Sequence, residues 1–253
     1  MATTTFQRGI LRLLAPSRKE RESGQDIDLF HDTREAVAAS VAADRRQLAD
    51  AGYDLVMVRE APTFAEAEVR RGAESTLIQW AQDSAFRFFP LCENEELGLT
   101  LHPFDLATNK ALAMAGRLEA RDWVDLLTSV DRIQPLGYLA WAACGKDPGF
   151  NPLSLLQEMR RSGRYPQAVL DRLDLGGERL DARLLGERWR QELSVAEGIC
   201  EALPVEAVGA CVVSAEGELF RGDLEALRKA LRSERLRYHE GTIGGAWPSF
   251  PNA

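Results

Sequence analysis

Asp26-Ile27-Asp28 sets two carboxylates one residue apart, just ahead of Leu29-Phe30. On a strand, alternate residues share a face, so both aspartates point one way while Ile27 and Leu29 point to a core. Carboxylates that close repel each other unless a cation neutralises them, and such a pair can hold one or two Mg2+ ions. Ions held there would grip a nucleoside triphosphate and activate an attacking hydroxyl. The ordinary alternative is an exposed strand face on which two aspartates meet water. A second group follows in Asn109-Lys110, Arg117 and Arg121-Asp122-Trp123-Val124-Asp125. Lysine is scarce here, confined to Lys19, Lys110, Lys146 and Lys229. The spacings predict that Lys110 and Arg117 share one helix face, and that Asp122 and Asp125 share a face of the next helix. A basic face opposed to an acidic face can bind phosphate and orient a proton-accepting carboxylate. The alternative is a salt-bridge lattice between two helices, including Arg121 with Asp125 at i,i+4.

The elements that must position these groups can be read from pattern. Thr4 to Leu14 reads as a short amphipathic helix on Phe6, Ile10, Leu13 and Leu14, ended by Pro16. Asp26 to Phe30 is a strand. Asp32-Thr33 offers a helix N-cap, Glu35 suits the first turn, and the helix runs from Arg34 to Ala51 until Gly52 stops it. Tyr53 to Arg59 is a strand, Glu66–Arg71 and Ser75–Gln82 form a hairpin around Arg71-Gly72, and Phe86 to Leu91 extends the sheet. After His102-Pro103 the texture becomes helical, with helices over 103–118, 121–133, 151–162, 167–173 and 178–202, the last interrupted at Gly186. Val208–Val213 and Glu218–Phe220 predict a β-hairpin, Asp223–Leu231 a last helix, and Gly241–Ala253 an irregular tail. The fold class is therefore α+β, a mixed sheet with helices followed by a mainly helical C-terminal half containing a β-hairpin. The divisions fall at 1–103, 104–205 and 206–253.

Composition narrows the function classes. The 253 residues suffice for one large domain or two small ones. With 39 acidic against 31 basic residues the net charge is −8, which argues against a chain coated in nucleic acid but leaves room for a local basic patch. No apolar run reaches the length of a membrane span and Met1–Arg8 lacks a signal-peptide core, so a cytoplasmic protein is expected. Cys92, Cys144, Cys200 and Cys211 are scattered, as buried thiols in a reducing compartment would be. His31, His102 and His239 are not paired at helical spacing, which excludes an H-E-x-x-H zinc site. Walker loops, G-x-S-x-G elbows and G-x-G-x-x-G fingerprints are absent.

Taken in order, the S-x-x-D-I-D-L-F-H-D strand and the later D-L-A-T-N-K … R-L-E-A-R-D-W-V-D-L helix pair resemble a known family. They look like the AbiEii-type nucleotidyltransferases, toxin-like members of the DNA polymerase beta superfamily found in bacterial abortive-infection and toxin–antitoxin systems. The resemblance covers Phe6 to Leu127. It implies a nucleotidyltransferase-like sheet in which Asp26 and Asp28 bind two Mg2+ ions, Ser23, Lys110 and Arg117 contact nucleotide, and Asp122 and Asp125 are the R-D-x-x-D carboxylates. It further implies transfer of a nucleotide from a triphosphate to an acceptor such as tRNA or another RNA, with a cognate antitoxin protein as a partner.

Two departures bear on activity. The family carries a Gly-Gly or Gly-Ser turn before the D-x-D strand, where small residues let backbone N–H groups cradle the triphosphate. The interval Lys19 to Gln25 has no such pair, as if a short segment were missing. The third metal-facing carboxylate of the superfamily also has no clear counterpart. Its expected position holds Gln79, and Asp83 serves only with a shifted register; otherwise it is a hairpin-end aspartate near Arg87. These departures define the alternative, a catalytically inactive relative that binds nucleotide, RNA or protein. Elsewhere, Phe86-Arg87-Phe88-Phe89 either stacks bases or forms a half-buried strand. Trp141 and Cys144 read as helix–helix packing. Arg160-Arg161-Ser162-Gly163-Arg164 reads as an RNA contact or a solvated helix end, and Gly176-Gly177 as a turn.

Overall fold

Five strands form one mixed sheet in the order β1-β2-β5-β4-β3. They are β1 (Thr4–Gln7), β2 (Ile27–His31), β3 (Asp54–Ala61), β4 (Phe64–Arg71) and β5 (Glu74–Gln82). The structure is a computed structural model that describes residues 4–7, 27–95, 98–117, 119–173 and 179–250. β2 runs parallel to β5, and the other neighbouring pairs are antiparallel. Helix α1 (Arg34–Asp50) lays Val37, Val41 and Leu48 on one sheet face, against Leu29, Ala65, Ala67, Val69, Ile78 and Trp80. Its ends follow the sequence signals. The Thr33 side chain accepts the Ala36 N–H at 3.1 Å, and Gly52 takes φ 78°, a left-handed conformation that few other residues tolerate. A short ribbon, β7 (Cys92–Asn94) with β8 (Gly98–Thr100), completes this unit.

The N-terminal expectation is corrected in part. Thr4–Gln7 is a strand paired antiparallel to β2, with Thr4 opposite His31 and Gln7 opposite Asp28. Consecutive β-branched threonines favour extended backbone, and the open edge of β2 supplies the hydrogen-bonding partners that a lone helical turn lacks. The remainder of the proposed helix lies outside the described residues.

His31 ends β2 on the core face, 1% exposed, and neither ring nitrogen has a hydrogen-bond partner among the described residues. Burial lowers its pKa below the usual 6.5, only partly opposed by Asp44 and Asp32. The folded ring thus refuses a proton that the unfolded chain accepts. Stability associated with His31 is complete above pH 6.5 and is lost as pH falls below that value towards the folded pKa. Urea midpoints measured from pH 7.5 to 5 should fall on acidification, and His31→Leu should flatten that slope.

The described residues divide into this sheet unit, drawn from Met1–Ala85 and Leu91–Leu101, and a helical unit drawn from Phe86–Pro90 and His102–Ala253. The segments 104–205 and 206–253 thus contribute to one unit. It comprises α2 (Pro103–Gly116), α3 (Ala120–Arg132), α4 (Leu136–Lys146), α5 (Pro152–Ser162), α6 (Gln167–Leu170), α7 (Ala182–Ala202) and α8 (Leu224–Arg232). α4 is buried on every side from Leu136 to Cys144, as expected of a helix without an apolar stripe of its own. Gly137 lets it approach α7, because a Cβ there would lie 2.7 Å from that of Ile199. Trp141 and Cys144 are core residues, and burial pushes the Cys144 thiol up to about 12. Gly186 does not interrupt α7.

The expected α+β class is observed, with three differences. β6 (Phe86–Arg87) does not extend the large sheet; it pairs with β11 (Thr242–Ile243) inside the helical unit. Phe88 and Phe89 are buried, so they stack no base. The 208–213/218–220 hairpin forms but is short, with a bridge between Val213 and Leu219, the Ser214 N–H donating to the Glu218 carbonyl at 2.8 Å and the Phe220 N–H to the Val212 carbonyl at 3.1 Å. There β9 (Cys211–Ser214) pairs with β10 (Leu236–His239), while the buried Gln134 amide donates to the Val212 and Phe220 carbonyls at 2.9 and 2.7 Å. Among the described residues no helix is long and apolar enough to cross a membrane.

Candidate functional site

In the sheet unit the site is set by register. β2 places Leu29 in the core and Asp28, half-buried, on the opposite face. The parallel pairing sets Asp28 beside Gln79, and the β4–β5 hairpin sets Gln79 beside Glu66. Asp28, Gln79 and Glu66 therefore form one row across three strands, on the face that α1 does not cover. Gln79 Nε2 donates to Glu66 Oε2 at 3.0 Å. A neutral amide thus lies beside Asp28, and the Glu66 carboxylate sits one strand beyond it. Asp83 does not join Asp28. It follows Gln82, which is level with His31, so it lies roughly 13 Å along the strand from the row. Its Oδ1 accepts the Ser84 N–H at 2.8 Å, a local turn. Asp26, Ser23 and the interval Lys19 to Gln25 lie outside the described residues.

Magnesium needs only one or two carboxylates, its remaining positions going to water and phosphate. Among the described residues of this row Asp28 supplies one such carboxylate, and the neighbouring Gln79 adds no charge. Among the described residues no three His, Cys, Asp or Glu side chains gather as a metal group.

In the helical unit the second group does assemble. Lys110 Nζ lies 2.7 Å from Asp122 Oδ1 and 3.0 Å from Asp125 Oδ2, with both carboxylate side chains 2% exposed. Arg117 grips Asp122 in a fork, Nε to Oδ2 at 2.6 Å and Nη2 to Oδ1 at 3.1 Å. The route differs from the one expected. α2 stops at Gly116 rather than near 118, so Arg117 is an extended capping residue that turns back to the next helix. Arg121 makes no ion pair with Asp125, which is taken by Lys110. Asp122 sits in the first turn of α3, where the helix dipole favours its charge. Burial would raise its pKa, but the hydrogen bonds from Arg117 and Lys110 outweigh burial and hold it below the ordinary value. Burial wins at Asp125, whose pKa is raised although Lys110 opposes the shift. Asp125 Oδ1 is buried with no hydrogen-bond partner among the described residues.

A neighbouring lattice was not legible as a site. Asp105, fully buried, accepts the Phe88 and Phe89 N–H groups at 2.9 and 3.0 Å and pairs with Lys146 at 2.8 Å. Lys146 also donates to Asn109 Oδ1 at 2.7 Å. Asn109 of the T-N-K segment thus holds a structural lysine. Lys146 is 9% exposed at the side chain and its contacts are those of a brace between α2, α4 and the Phe88-Phe89 segment. The basic run at the end of α5 is engaged by acids, Arg160 with Glu197 and Arg161 with Glu158 at 2.8 Å. Gly176-Gly177 lies outside the described residues. Glu66 was missed too, although counting back from the two-residue turn at Gly72-Ala73 sets it opposite Gln79.

The chain is thus an α+β protein with a polar row on its sheet and a buried lysine–carboxylate cluster between two helices. No known protein family matches the sequence, and no curated protein matches it. Solved structures similar to the chain include a candidate nucleotidyltransferase from Helicobacter pylori, 11% identical with a TM-score of 0.46, over 79% of this chain and 89% of that one. Another is JHP933 from Helicobacter pylori, 14% identical with a TM-score of 0.39, over 79% of this chain and 88% of that one.

Proposed function

We propose that this chain is a nucleotidyltransferase-type protein of the AbiEii-like kind, joining a nucleoside monophosphate unit from a triphosphate to an acceptor hydroxyl, with the α–β phosphoanhydride bond broken and pyrophosphate leaving. The observation that carries this reading is the Lys110–Asp122–Asp125 cluster, formed by the two segments on which the family resemblance rests. A buried carboxylate oxygen without a hydrogen bond is costly. By the resemblance Asp122 and Asp125 are the R-D-x-x-D carboxylates, ordered here by Lys110, and Arg117, 61% exposed at the side chain, offers a cation to phosphate. Asp26 and Asp28 would hold Mg2+, which when bound neutralises triphosphate oxygens. An RNA acceptor, an antitoxin partner and a bacterial cytoplasmic setting follow from the resemblance and belong to the same proposal.

Incubation with labelled nucleoside triphosphates, Mg2+ and bulk RNA should give transfer that Asp28→Ala and Asp26→Ala abolish. Undiminished transfer by either variant would sink the assignment. Gln79 beside Asp28 favours a second reading, an inactive relative that binds without chemistry. Calorimetry separates the two, since failure of a folded protein to bind triphosphate in Mg2+ supports the inactive form.

A further inference from the structure

A cleft of about 470 Å³ lies entirely within the helical unit, remote in character from the ionic cluster. Trp247 lines it and is 62% exposed, whereas Trp80, Trp123, Trp141 and Trp189 are all buried. An exposed indole offers a large flat apolar face together with an N–H donor. Its position is built. β11 pairs with β6, the Ala246 N–H donates to the Phe88 carbonyl at 3.1 Å, and Gly245 turns at φ 72°. A Cβ on Gly245 would lie 2.1 Å from the Phe89 carbonyl oxygen, so only glycine lets the tail press this close.

The tail sets the indole 5.9 Å from the Phe89 ring and edge-on to His102 at 6.0 Å, while Phe89 and His102 stack at 4.3 Å. His102 Nδ1 accepts the Phe104 N–H, which leaves Nε2 to carry the ring proton as a donor. Arg132 and Arg221 line the same cleft against one carboxylate, Glu218. Arg221 also donates to the Asp131 carbonyl, which ties that side chain to the C-terminal end of α3. An exposed indole face beside two guanidinium groups suits a ligand that is flat and anionic.

We infer that this cleft binds a nucleotide unit, with its base stacked on Trp247 and its phosphate held by Arg132 and Arg221. Its volume falls in the range of small-ligand sites. The inference does not depend on the transfer reaction, because none of these residues belongs to the ionic cluster or the polar row. A free mononucleotide and an unpaired nucleotide of a single strand share this chemistry.

The test uses the full chain in EDTA, so that a metal-dependent site contributes nothing. Adenosine monophosphate and a short oligoadenylate are titrated separately, by calorimetry and by fluorescence with iodide as quencher. Iodide reaches Trp247 and not the buried indoles, so ligand should protect the quenchable fraction. Trp247→Ala should weaken binding about tenfold or more. Arg132→Ala should weaken it and lower the salt dependence by about one phosphate contact. Binding of both probes assigns a mononucleotide site, and binding of the oligonucleotide alone assigns a strand site. Binding of neither, or binding that Trp247→Ala and Arg132→Ala leave unchanged, overturns the inference.

Discussion

Lys110→Met is expected to lower the stability of the helical unit by about 3–5 kcal/mol near neutral pH, as removal of one partner from a buried ion pair does. Lys110 serves two carboxylates at once, at 2.7 and 3.0 Å, both nearly inaccessible to water. Arg117 still forks onto Asp122 in the variant, so the charge left least compensated is Asp125, whose carboxylate keeps only the longer-range attraction of Arg121. Asp125→Asn in the Lys110→Met background should therefore recover a large part of the loss, a non-additivity that marks direct coupling. The pH dependence has a definite sign. Asp125 already sits above its usual 3.8 through burial, and losing Lys110 raises it further. A raised folded pKa favours the fold when the group is protonated, so the variant's deficit should shrink as pH falls and be largest at neutral pH. Denaturant unfolding at pH 7.5 and 4.5, for the single and double variants, reads both effects. Equal stability of wild type and Lys110→Met at pH 7.5 would remove the structural role and leave the lysine to a ligand alone.

This cluster also shows what was legible in sequence. Lys110, Arg117, Asp122 and Asp125 were identifiable because helical spacing is local, and helices bring residues three, four and seven apart onto one face. The pairing itself was not, since it depends on where α2 ends. A stop at Gly116 turned Arg117 from a helix-face residue into a capping arm that grips Asp122. Strand existence was similarly local, and Asp28, Leu29 and the Gly72 turn behave as their alternation implies. Long-range pairing was beyond reach. Nothing local in Phe86-Arg87 says that its partner is Thr242-Ile243, or that the buried Asp105 ties down the residues that follow. Gln134 likewise reads as an ordinary polar residue until its amide is found bridging two carbonyls of a distant segment.

The sheet row supports the other large expected effect. In wild type the position beside Asp28 is an amide already donating to Glu66, so it offers Mg2+ no charged ligand. Gln79→Asp would place a carboxylate on the adjacent strand about 4.8 Å away, on the same face as Asp28. Without a cation the two charges repel, one carboxyl pKa rises, and the variant should be less stable than wild type in EDTA. With Mg2+ the repulsion becomes an attraction to the shared ion, and binding stabilises only the folded chain. At an ion concentration a hundredfold above the dissociation constant the linkage amounts to about 2.7 kcal/mol. A Mg2+ titration followed by thermal unfolding should therefore show a rising Tm in Gln79→Asp and a much smaller response in wild type. Gln79→Asn separates charge from shape, because it shortens the side chain by the same methylene yet stays neutral. If Gln79→Asn gained as much from Mg2+ as Gln79→Asp, the row would not be a metal-facing one, and Asp28 would be only an aspartate on a solvated strand.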